Sequence, residues 1–183
     1  MTSNLIWLPN TLSLSRIAIA ALIVASLQPG NQTSFYITLV LTVVAAATDY
    51  FDGKLARYTL STSYFGYVLD GIGDRAIHIA FVLVISRTFD GATLLCWMHI
   101  MREVCIYALR SCCSEAHIAT RELRDFSLYA VYFLRAWIFI FLILISGFIP
   151  EHLMYHVHAV GVVLGFISIV IGIFGLVRYI KFI

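Results

Sequence analysis

Long apolar stretches, separated by short polar segments that often contain glycine or proline, run through the whole of this sequence. A helix needs roughly 17 to 25 apolar residues to cross the hydrocarbon core of a bilayer. Six stretches meet that requirement, at approximately 11–27, 34–58, 64–86, 92–112, 126–148 and 155–180. The sequence therefore predicts an all-α integral membrane protein with six transmembrane helices. We expect residues 1–183 to form a single membrane domain.

The composition favours lipid over water as the solvent for most of the surface. Hydrophobic residues make up 61% of the 183 residues and charged residues 12%, which is more apolar than one buried core of this size requires. The net charge of +2, with cations scattered singly, argues against a basic surface for nucleic acid, so we expect no nucleic-acid partner. All 4 cysteines lie in or at the end of one apolar segment, which predicts no disulfide framework.

The distribution of cations predicts the orientation in the membrane. With six spans, most Lys and Arg residues of the connecting segments fall on the side that holds both termini, whereas the other side clearly has only Arg87. The positive-inside rule then places both termini in the cytoplasm. Residues 1–10 are apolar and include Trp7, so we expect an N-terminal interfacial helix along the membrane surface. The polar connection 114–125 can form a second one.

Four aspartates lie inside the predicted second and third spans, where each carboxylate costs roughly 2.5 to 3.5 kcal/mol to insert. Asp49 and Asp52 share one helical face, as do Asp70 and Asp74. The short turn between these helices makes them antiparallel neighbours, so the two pairs can meet near the cytoplasmic end. Because hard oxygen ligands suit Mg²⁺, Mn²⁺ or Ca²⁺ better than zinc, the pattern predicts a divalent-metal site.

Two other interpretations of the aspartates remain open. They can form structural ion pairs with Arg57, Arg75 and Arg102, or they can line a path for ions, as in a cation carrier. We favour a metal site because the acids occupy two matched faces. They also cluster toward one leaflet, and the outer halves of the spans contain no matching row of acids.

Small residues and an arginine accompany the acids. Gly53, Ala56 and Gly66 lie on the same side, where the missing bulk lets a large group approach the backbone. Arg57 is a permanent donor whose fork suits phosphate. Together with a metal site, these residues predict a site for a metal-bridged diphosphate.

One stretch of the second and third spans fills every position of a known signature: Asp49-x-x-Asp52-Gly53-x-x-Ala56-Arg57, then eight residues, then Gly66-x-x-x-Asp70-x-x-x-Asp74. In this pattern the chain resembles the CDP-alcohol phosphatidyltransferase family. Residues 9–16 are also similar to the Asn-x-x-Thr/Ser-x-x-Arg segment that opens many members. The resemblance implies a homodimeric membrane enzyme of phospholipid biosynthesis. Such an enzyme transfers a phosphatidyl group from CDP-diacylglycerol to an alcohol and releases CMP.

The resemblance also implies roles for individual residues. The ligands of two divalent ions, usually Mg²⁺ or Mn²⁺, would be Asp49, Asp52, Asp70 and Asp74. Asp74 matches the position proposed as general base. The residues that match the site of the CDP moiety are Gly53, Ala56, Arg57 and Gly66.

The choice of acceptor depends on a second stretch, Arg102-Glu103-x-x-Ile106-x-Ala108-Leu109-Arg110. It resembles phosphatidylglycerophosphate synthase-like members, in which basic residues hold the phosphate of glycerol 3-phosphate. The candidates for this pocket are Arg102, Arg110, Arg121 and Arg124. Structural alternatives remain: an ion pair between Arg102 and Glu103, a membrane anchor at Arg110, and a solvated loop at Arg121 and Arg124.

Two positions and one segment depart from that branch. Its Gly-Lys-x-Lys-Thr segment has no match at residues 120–124. Gly71 and Arg75 stand where it typically has proline and lysine, and Arg75 is more similar to members that use inositol phosphate. The basic pocket still favours a phosphorylated acceptor. Glycerol 3-phosphate is therefore the leading prediction, with inositol phosphate or another polar alcohol as the alternative.

The last span carries features that this chemistry does not use. Gly161-x-x-x-Gly165 and Gly172-x-x-Gly175 permit close helix packing, either within one subunit or at a dimer interface. His152, His156 and His158 are expected in an interfacial loop.

Overall fold

The protein is helical throughout the part of the chain that the computed structural model describes, which is residues 8–58, 64–112 and 121–180. Its α-helices are α1 (Leu8–Ser26), α2 (Gln32–Tyr58), α3 (Tyr64–Thr88), α4 (Thr93–Cys112), α5 (Arg121–Ile145) and α6 (Glu151–Ile180). A short 3₁₀ turn, Asp90–Ala92, leads into α4. The all-α class and the six predicted helices are confirmed.

Local capping sets several helix ends. Asn31 precedes α2, and its Oδ1 accepts a hydrogen bond from the backbone N–H of Ser34 at 3.2 Å, as an N-cap side chain does. Gly30 before it has φ 72°, which a residue without a side chain adopts at little cost. Gly147, with φ 73°, lies just beyond the end of α5. The helix therefore ends at Ile145, before residue 148, where the sequence predicted its end.

The connection predicted at 114–125 is shorter than expected. Residues 121–125 already belong to α5, because Arg, Glu and Leu are strong helix formers and outweigh the polar character of this segment. Residues 113–120 lie outside the described part of the chain. The predicted interfacial helix at 1–10 also falls largely outside it, since the description begins at residue 8, inside α1.

The prediction of a loop at the three histidines of the last span is wrong. α6 begins at Glu151, directly after Pro150, so His152, His156 and His158 are all helical. An acidic residue in the first turn suits the positive end of the helix dipole, and the N–H of Leu153 reaches the Pro150 carbonyl at 2.9 Å. The ring of His158 packs against the rings of Phe89 and Phe141, each at 5.5 Å between centroids.

The helices pack into two units, residues 1–84 and 85–183. In the first unit α1 packs along α2, and its buried side chains include Ile19, Ile23 and Ala45. In the second unit α5 packs along α6 and α4 also contacts α6, around the fully buried Trp137 and Phe141.

Two helical segments of the described residues are long and apolar enough to cross a membrane. They are Gln32–Asp52, with a mean hydropathy of 1.5, and Glu151–Val177, with 2.8. Both helices expose large apolar side chains, among them Val40 and Val43 on α2 and Val170 on α6. Contiguous apolar exposure of this kind is typical of surfaces that contact a partner or a membrane.

Candidate metal centre

The four signature aspartates lie on two neighbouring stretches of helix. Asp49 and Asp52 belong to the C-terminal half of α2, and Asp70 and Asp74 belong to the N-terminal half of α3. In each pair the spacing of three or four residues places the side chains on one face of the helix. The carboxylates therefore face one region from both sides of the connection between the helices.

Arg16 of α1 lies between the four carboxylates. Its Nη1 donates hydrogen bonds to Oδ1 of Asp49 at 2.9 Å and to Oδ1 of Asp74 at 2.5 Å. Its Nη2 donates to Oδ2 of Asp52 at 2.7 Å and to Oδ1 of Asp70 at 2.6 Å. One guanidinium thus contacts a carboxylate oxygen of every predicted metal ligand, so the two pairs do lie together.

The Arg16 side chain occupies a fitted position. Arg16 is 1% exposed, and Ser13, three residues earlier on α1, lies 3.3 Å from its Nη2 through the hydroxyl oxygen. A Cβ atom at Gly73 of α3 would lie 2.9 Å from the Ser13 carbonyl oxygen and 3.1 Å from Nε of Arg16. Only glycine therefore lets α1 and the guanidinium lie so close to α3 at this point.

Asp52 differs from the other three aspartates. Its side chain is 6% exposed, and its Oδ2 accepts hydrogen bonds from both Arg16 and the Ser13 hydroxyl, the latter at 2.9 Å. The side chains of Asp49, Asp70 and Asp74 are 52%, 45% and 50% exposed. Asp52 is thus held on the closed side of the cluster, and the other three carboxylates border its open side.

The open side of the cluster fits a divalent cation. One carboxylate oxygen from each of Asp49, Asp70 and Asp74 lies within 4.8 Å of the others. Oxygens that bind one ion at roughly 2.0 to 2.6 Å are at most about 5 Å apart, so the separation is compatible with shared coordination. Arg16 compensates only one of the four negative charges, which leaves the cluster anionic. An all-oxygen, anionic set of this kind suits Mg²⁺ or Mn²⁺.

The remaining residues of the signature extend from this cluster. Gly53, Ala56 and Arg57 continue α2 directly beyond Asp52, but their side chains lie outside the described part of the structure. Gly66 is in the first turn of α3, one turn before Asp70. Helical geometry places Gly53 and Ala56 within about one turn of Asp52.

Arg16 pairs with all four acids, whereas the sequence interpretation named Arg57, Arg75 and Arg102 as their possible partners. The side chain of Arg57 lies outside the described part of the structure. Arg75 donates from Nη1 to the Gly71 carbonyl oxygen at 2.7 Å. Arg102 forms an ion pair with Glu103 in the second unit. The signal that could have identified Arg16 was the segment at residues 9–16, in which Arg16 follows Ser13 by three positions and so shares a helical face with it. A cation on an apolar membrane helix also calls for a partner.

The candidates for the acceptor phosphate lie in the second unit. Arg102 is 6% exposed, and its guanidinium packs directly against Gly172 of α6, where a Cβ atom would overlap it. The ion pair with Glu103, which the sequence left open as an alternative, is present. Arg110, Arg121 and Arg124 lie in α4 and α5, and their side chains are outside the described part of the chain.

A buried aromatic pair adjoins Arg102, and the sequence analysis missed it. His99 is 1% exposed and stacks on Trp137, with 4.5 Å between the ring centroids. A Cβ atom at Gly165 of α6 would lie 2.8 Å from Nε1 of Trp137, so this glycine makes room for the indole. The contact orders the core of the second unit.

In the described residues, fold and site together define a helical protein that carries a cluster of carboxylates with a spacing compatible with a bound cation. The chain belongs to the CDP-alcohol phosphatidyltransferase family, whose sequence profile matches residues 6–174. No solved structure matches it significantly.

Several curated relatives share one printed name, CDP-diacylglycerol--glycerol-3-phosphate 3-phosphatidyltransferase. The protein from Rickettsia bellii is 33% identical over 104 residues, which cover 56% of this chain and 57% of the relative. That from Wigglesworthia glossinidia brevipalpis is 33% identical over 111 residues, 59% of this chain and 60% of the relative. That from Blochmanniella floridana is 36% identical over 107 residues, which cover 57% of this chain and 56% of the relative. The matches thus span less than two thirds of the length of these relatives.

Proposed function

We propose that this protein transfers a phosphatidyl group from CDP-diacylglycerol to glycerol 3-phosphate and releases CMP. The observation that carries the proposal is the meeting of Asp49, Asp52, Asp70 and Asp74 around Arg16, because these acids occupy the signature positions of the family. The names of the relatives support glycerol 3-phosphate as the acceptor. Inositol phosphate or another polar alcohol is the alternative, since Gly71 and Arg75 depart from the pattern of the phosphatidylglycerophosphate synthase-like branch.

In this proposal the four aspartates hold two divalent cations, Mg²⁺ or Mn²⁺. Bound ions would stabilise negative charge on the oxygens around the reacting phosphorus. Asp52, which the Ser13 hydroxyl holds on the closed side, would anchor the ligand set. Asp49 and Asp70 on the open side would complete it.

Asp74 has a second role as the general base. Its half-exposed carboxylate can reach a substrate on the open side of the cluster. It would accept the proton of the acceptor hydroxyl while that oxygen bonds to the phosphorus next to the lipid. The bond from this phosphorus to the CMP oxygen then breaks, and CMP leaves with the electron pair.

Substrate binding would involve two further sets of residues. Gly53, Ala56, Arg57 and Gly66 would hold the CDP moiety, with the small residues giving clearance and Arg57 contacting phosphate. The acceptor phosphate would be bound by basic residues of the second unit: Arg102, Arg110, Arg121 and Arg124. Arg102 would have to exchange its present partner Glu103 for the phosphate.

We also propose that the whole chain, residues 1–183, is one multi-pass membrane domain with six spans, and that it acts as a homodimer. Both termini and the metal site would face the cytoplasm. The apolar segments of α2 and α6 and the large apolar side chains exposed along them support a membrane location. The excess of cations on one side supports the orientation.

An assay of the purified protein tests the proposed activity. CDP-diacylglycerol with a labelled lipid moiety is supplied with Mg²⁺ or Mn²⁺ and one acceptor at a time: glycerol 3-phosphate, inositol phosphate, free inositol, serine or choline. We expect metal-dependent release of CMP and a labelled phospholipid with glycerol 3-phosphate. The absence of CMP release with every acceptor would contradict the proposal. Cation flux through the reconstituted protein without CMP release would favour a cation carrier instead.

Asp74→Asn separates catalysis from folding. The amide retains the shape of the side chain but cannot accept the hydroxyl proton, so we expect turnover to fall by about 10²-fold or more while the helical content is unchanged. Glu151→Gln removes an equivalent charge at an exposed position of α6 and serves as the matched control. Full activity of the Asp74 variant would exclude the proposed base.

A further inference from the structure

We propose that Arg16 is an internal substitute for the metal, and that it competes with divalent cations for the carboxylates of Asp49, Asp52, Asp70 and Asp74. The inference rests on the proposed function only in taking these acids as the metal site. It adds a residue of α1 to that site and gives it an effect opposite to that of a ligand. Arg16 would stabilise the protein without metal and weaken its affinity for metal.

The first support is the number of acids that one guanidinium serves. Arg16 donates to four carboxylates at 2.5 to 2.9 Å. Without a central positive charge these carboxylates would repel one another at short range. Arg16 therefore supplies, in the protein without metal, the attraction that a bound cation would otherwise provide.

The second support is that the position of Arg16 is constructed by its neighbours. The arginine is 1% exposed, the Ser13 hydroxyl lies beside its Nη2, and the absent side chain of Gly73 leaves the room that its Nε and Cζ occupy. An arginine that paired with acids at the surface would be exposed and would not need the space that Gly73 leaves. The structure thus holds Arg16 against the acids from the α1 side.

The third support is the direction from which an ion can approach. Asp49, Asp70 and Asp74 are about half exposed, and an oxygen from each lies within 4.8 Å of the others. A cation would enter on this open side and meet carboxylates that are already bonded to Arg16. Because a divalent ion and a guanidinium within a few ångströms repel each other, binding of the ion must displace or weaken the Arg16 contacts.

The competition predicts opposite effects on stability and on metal affinity. In Arg16→Gln the ion no longer meets a positive charge, so the affinity for Mn²⁺ should be at least about tenfold higher than in the wild type. The same variant in EDTA should unfold at a lower temperature than the wild type, and Mn²⁺ should raise its unfolding temperature by more. Substitution of a residue that only binds the metal or orients its ligands would instead lower both the Mn²⁺ affinity and the unfolding temperature.

The experiment uses the full chain in detergent. Free Mn²⁺ is measured by electron paramagnetic resonance during titration, and thermal unfolding is followed in EDTA and in Mn²⁺. Arg87→Gln is the matched control, because it removes the same charge from an exposed position near the end of α3, away from the acids. We expect wild-type Mn²⁺ affinity in this control.

A second variant keeps the test decisive if Arg16→Gln does not fold. Arg16→Lys retains the charge, but its compact ammonium has three donors and cannot serve four carboxylates in the same way. We expect it to unfold at a lower temperature in EDTA and to bind Mn²⁺ about threefold more tightly, an intermediate effect.

The outcomes separate this inference from the proposed function. Mn²⁺ affinity at or below the wild-type value in both Arg16 variants, in a wild type that binds Mn²⁺, would overturn the competition and leave the proposed function standing. A wild type and variants that bind no Mn²⁺ would overturn both. Tighter binding by Arg16→Gln with lower stability in EDTA would support the inference even if no acceptor were found to react.

Discussion

Four chemically identical carboxylates occupy two different environments in this site. Asp52 is almost fully buried and receives two hydrogen bonds, one from Ser13 and one from Arg16. Asp49, Asp70 and Asp74 are about half exposed. A buried carboxylate needs such donors, because an unpaired one would lose its hydration without compensation. Asp52 is therefore a fixed reference point, and the other three can adjust to an ion or a substrate.

Ser13→Ala tests the role of this anchor. The change removes the hydroxyl that donates to Asp52 at 2.9 Å and leaves Arg16 as the donor on that oxygen. We expect a loss of about 1 kcal/mol in the free energy of unfolding, because Asp52 loses one of its two donors. Thermal unfolding in EDTA measures this effect.

Ser15→Ala is the control for that prediction. Its hydroxyl lies on the same helix but bonds only locally in the contacts described, to the Leu12 carbonyl at 2.7 Å. Its removal should lower the free energy of unfolding by much less than the removal of the Ser13 hydroxyl. Equal effects of the two substitutions would show that Ser13 contributes as a helix residue and not through Asp52.

The sequence predicted the two aspartate pairs but not the arginine that they share. Asp49 with Asp52, and Asp70 with Asp74, are visible as pairs because helical periodicity relates residues three and four apart. Arg16 meets them from 33 to 58 residues away along the chain. No local pattern encodes that distance, so the pairing follows only once α1 is packed against the other two helices.

At the scale of helices, glycines set how closely neighbouring elements approach. Gly73 lets the backbone of α1 at Ser13 lie near α3. In α6, a Cβ atom at Gly161 would lie 2.8 Å from Cε2 of Phe141, and one at Gly165 would lie 2.6 Å from Cδ2 of Leu95. The sequence left open whether these last two glycines pack within one subunit or at a dimer interface, and these contacts place both within the subunit.

Gly73→Ala should therefore affect the site through helix packing. The added methyl group would lie 2.9 Å from the Ser13 carbonyl oxygen, which is backbone and cannot turn away. We expect α1 to shift and the protein to lose about 1 to 3 kcal/mol of stability in EDTA. The shift should also weaken the contacts of Arg16 with the acids. Thermal unfolding in EDTA measures this effect.

Gly91→Ala provides the comparison, because a Cβ atom there meets nothing within 4 Å. This variant should unfold at the wild-type temperature. If Gly73→Ala also did so, the close approach of α1 to α3 would be unnecessary for the site.

Helix boundaries show which parts of the fold depend on local chemistry. The start of α2 follows from Asn31 as the N-cap, a signal that the sequence carries. The early start of α5 depends on helix formers at 121–125, which apolar periodicity does not detect because these residues are polar. Apolar runs thus locate the helices, and their ends require capping and propensity as well.

At the scale of the whole chain, α1 is the helix on which the proposed six-span topology depends most. Its apolar segment, Asn10–Ser26, is among the shorter ones, and a helix of 17 residues is only about 25 Å long. This is less than the roughly 30 Å of a hydrocarbon core. The segment also contains Arg16, whose charge can lie within a span because the carboxylates of α2 and α3 compensate it.

Reporter fusions in a bacterial host decide the topology. Alkaline phosphatase is active only outside the cytoplasm. Green fluorescent protein fluoresces when it remains in the cytoplasm, but not when it is exported in an unfolded state. We expect phosphatase activity for fusions after Gly30 and after Pro150, and fluorescence for a fusion after Ile183. Fluorescence after Gly30, with phosphatase activity after Pro150 and fluorescence after Ile183 as expected, would mean that α1 does not cross the membrane. Arg16 would then meet the acids from the cytoplasmic surface, and the metal site would lie at the membrane boundary and not inside the bilayer.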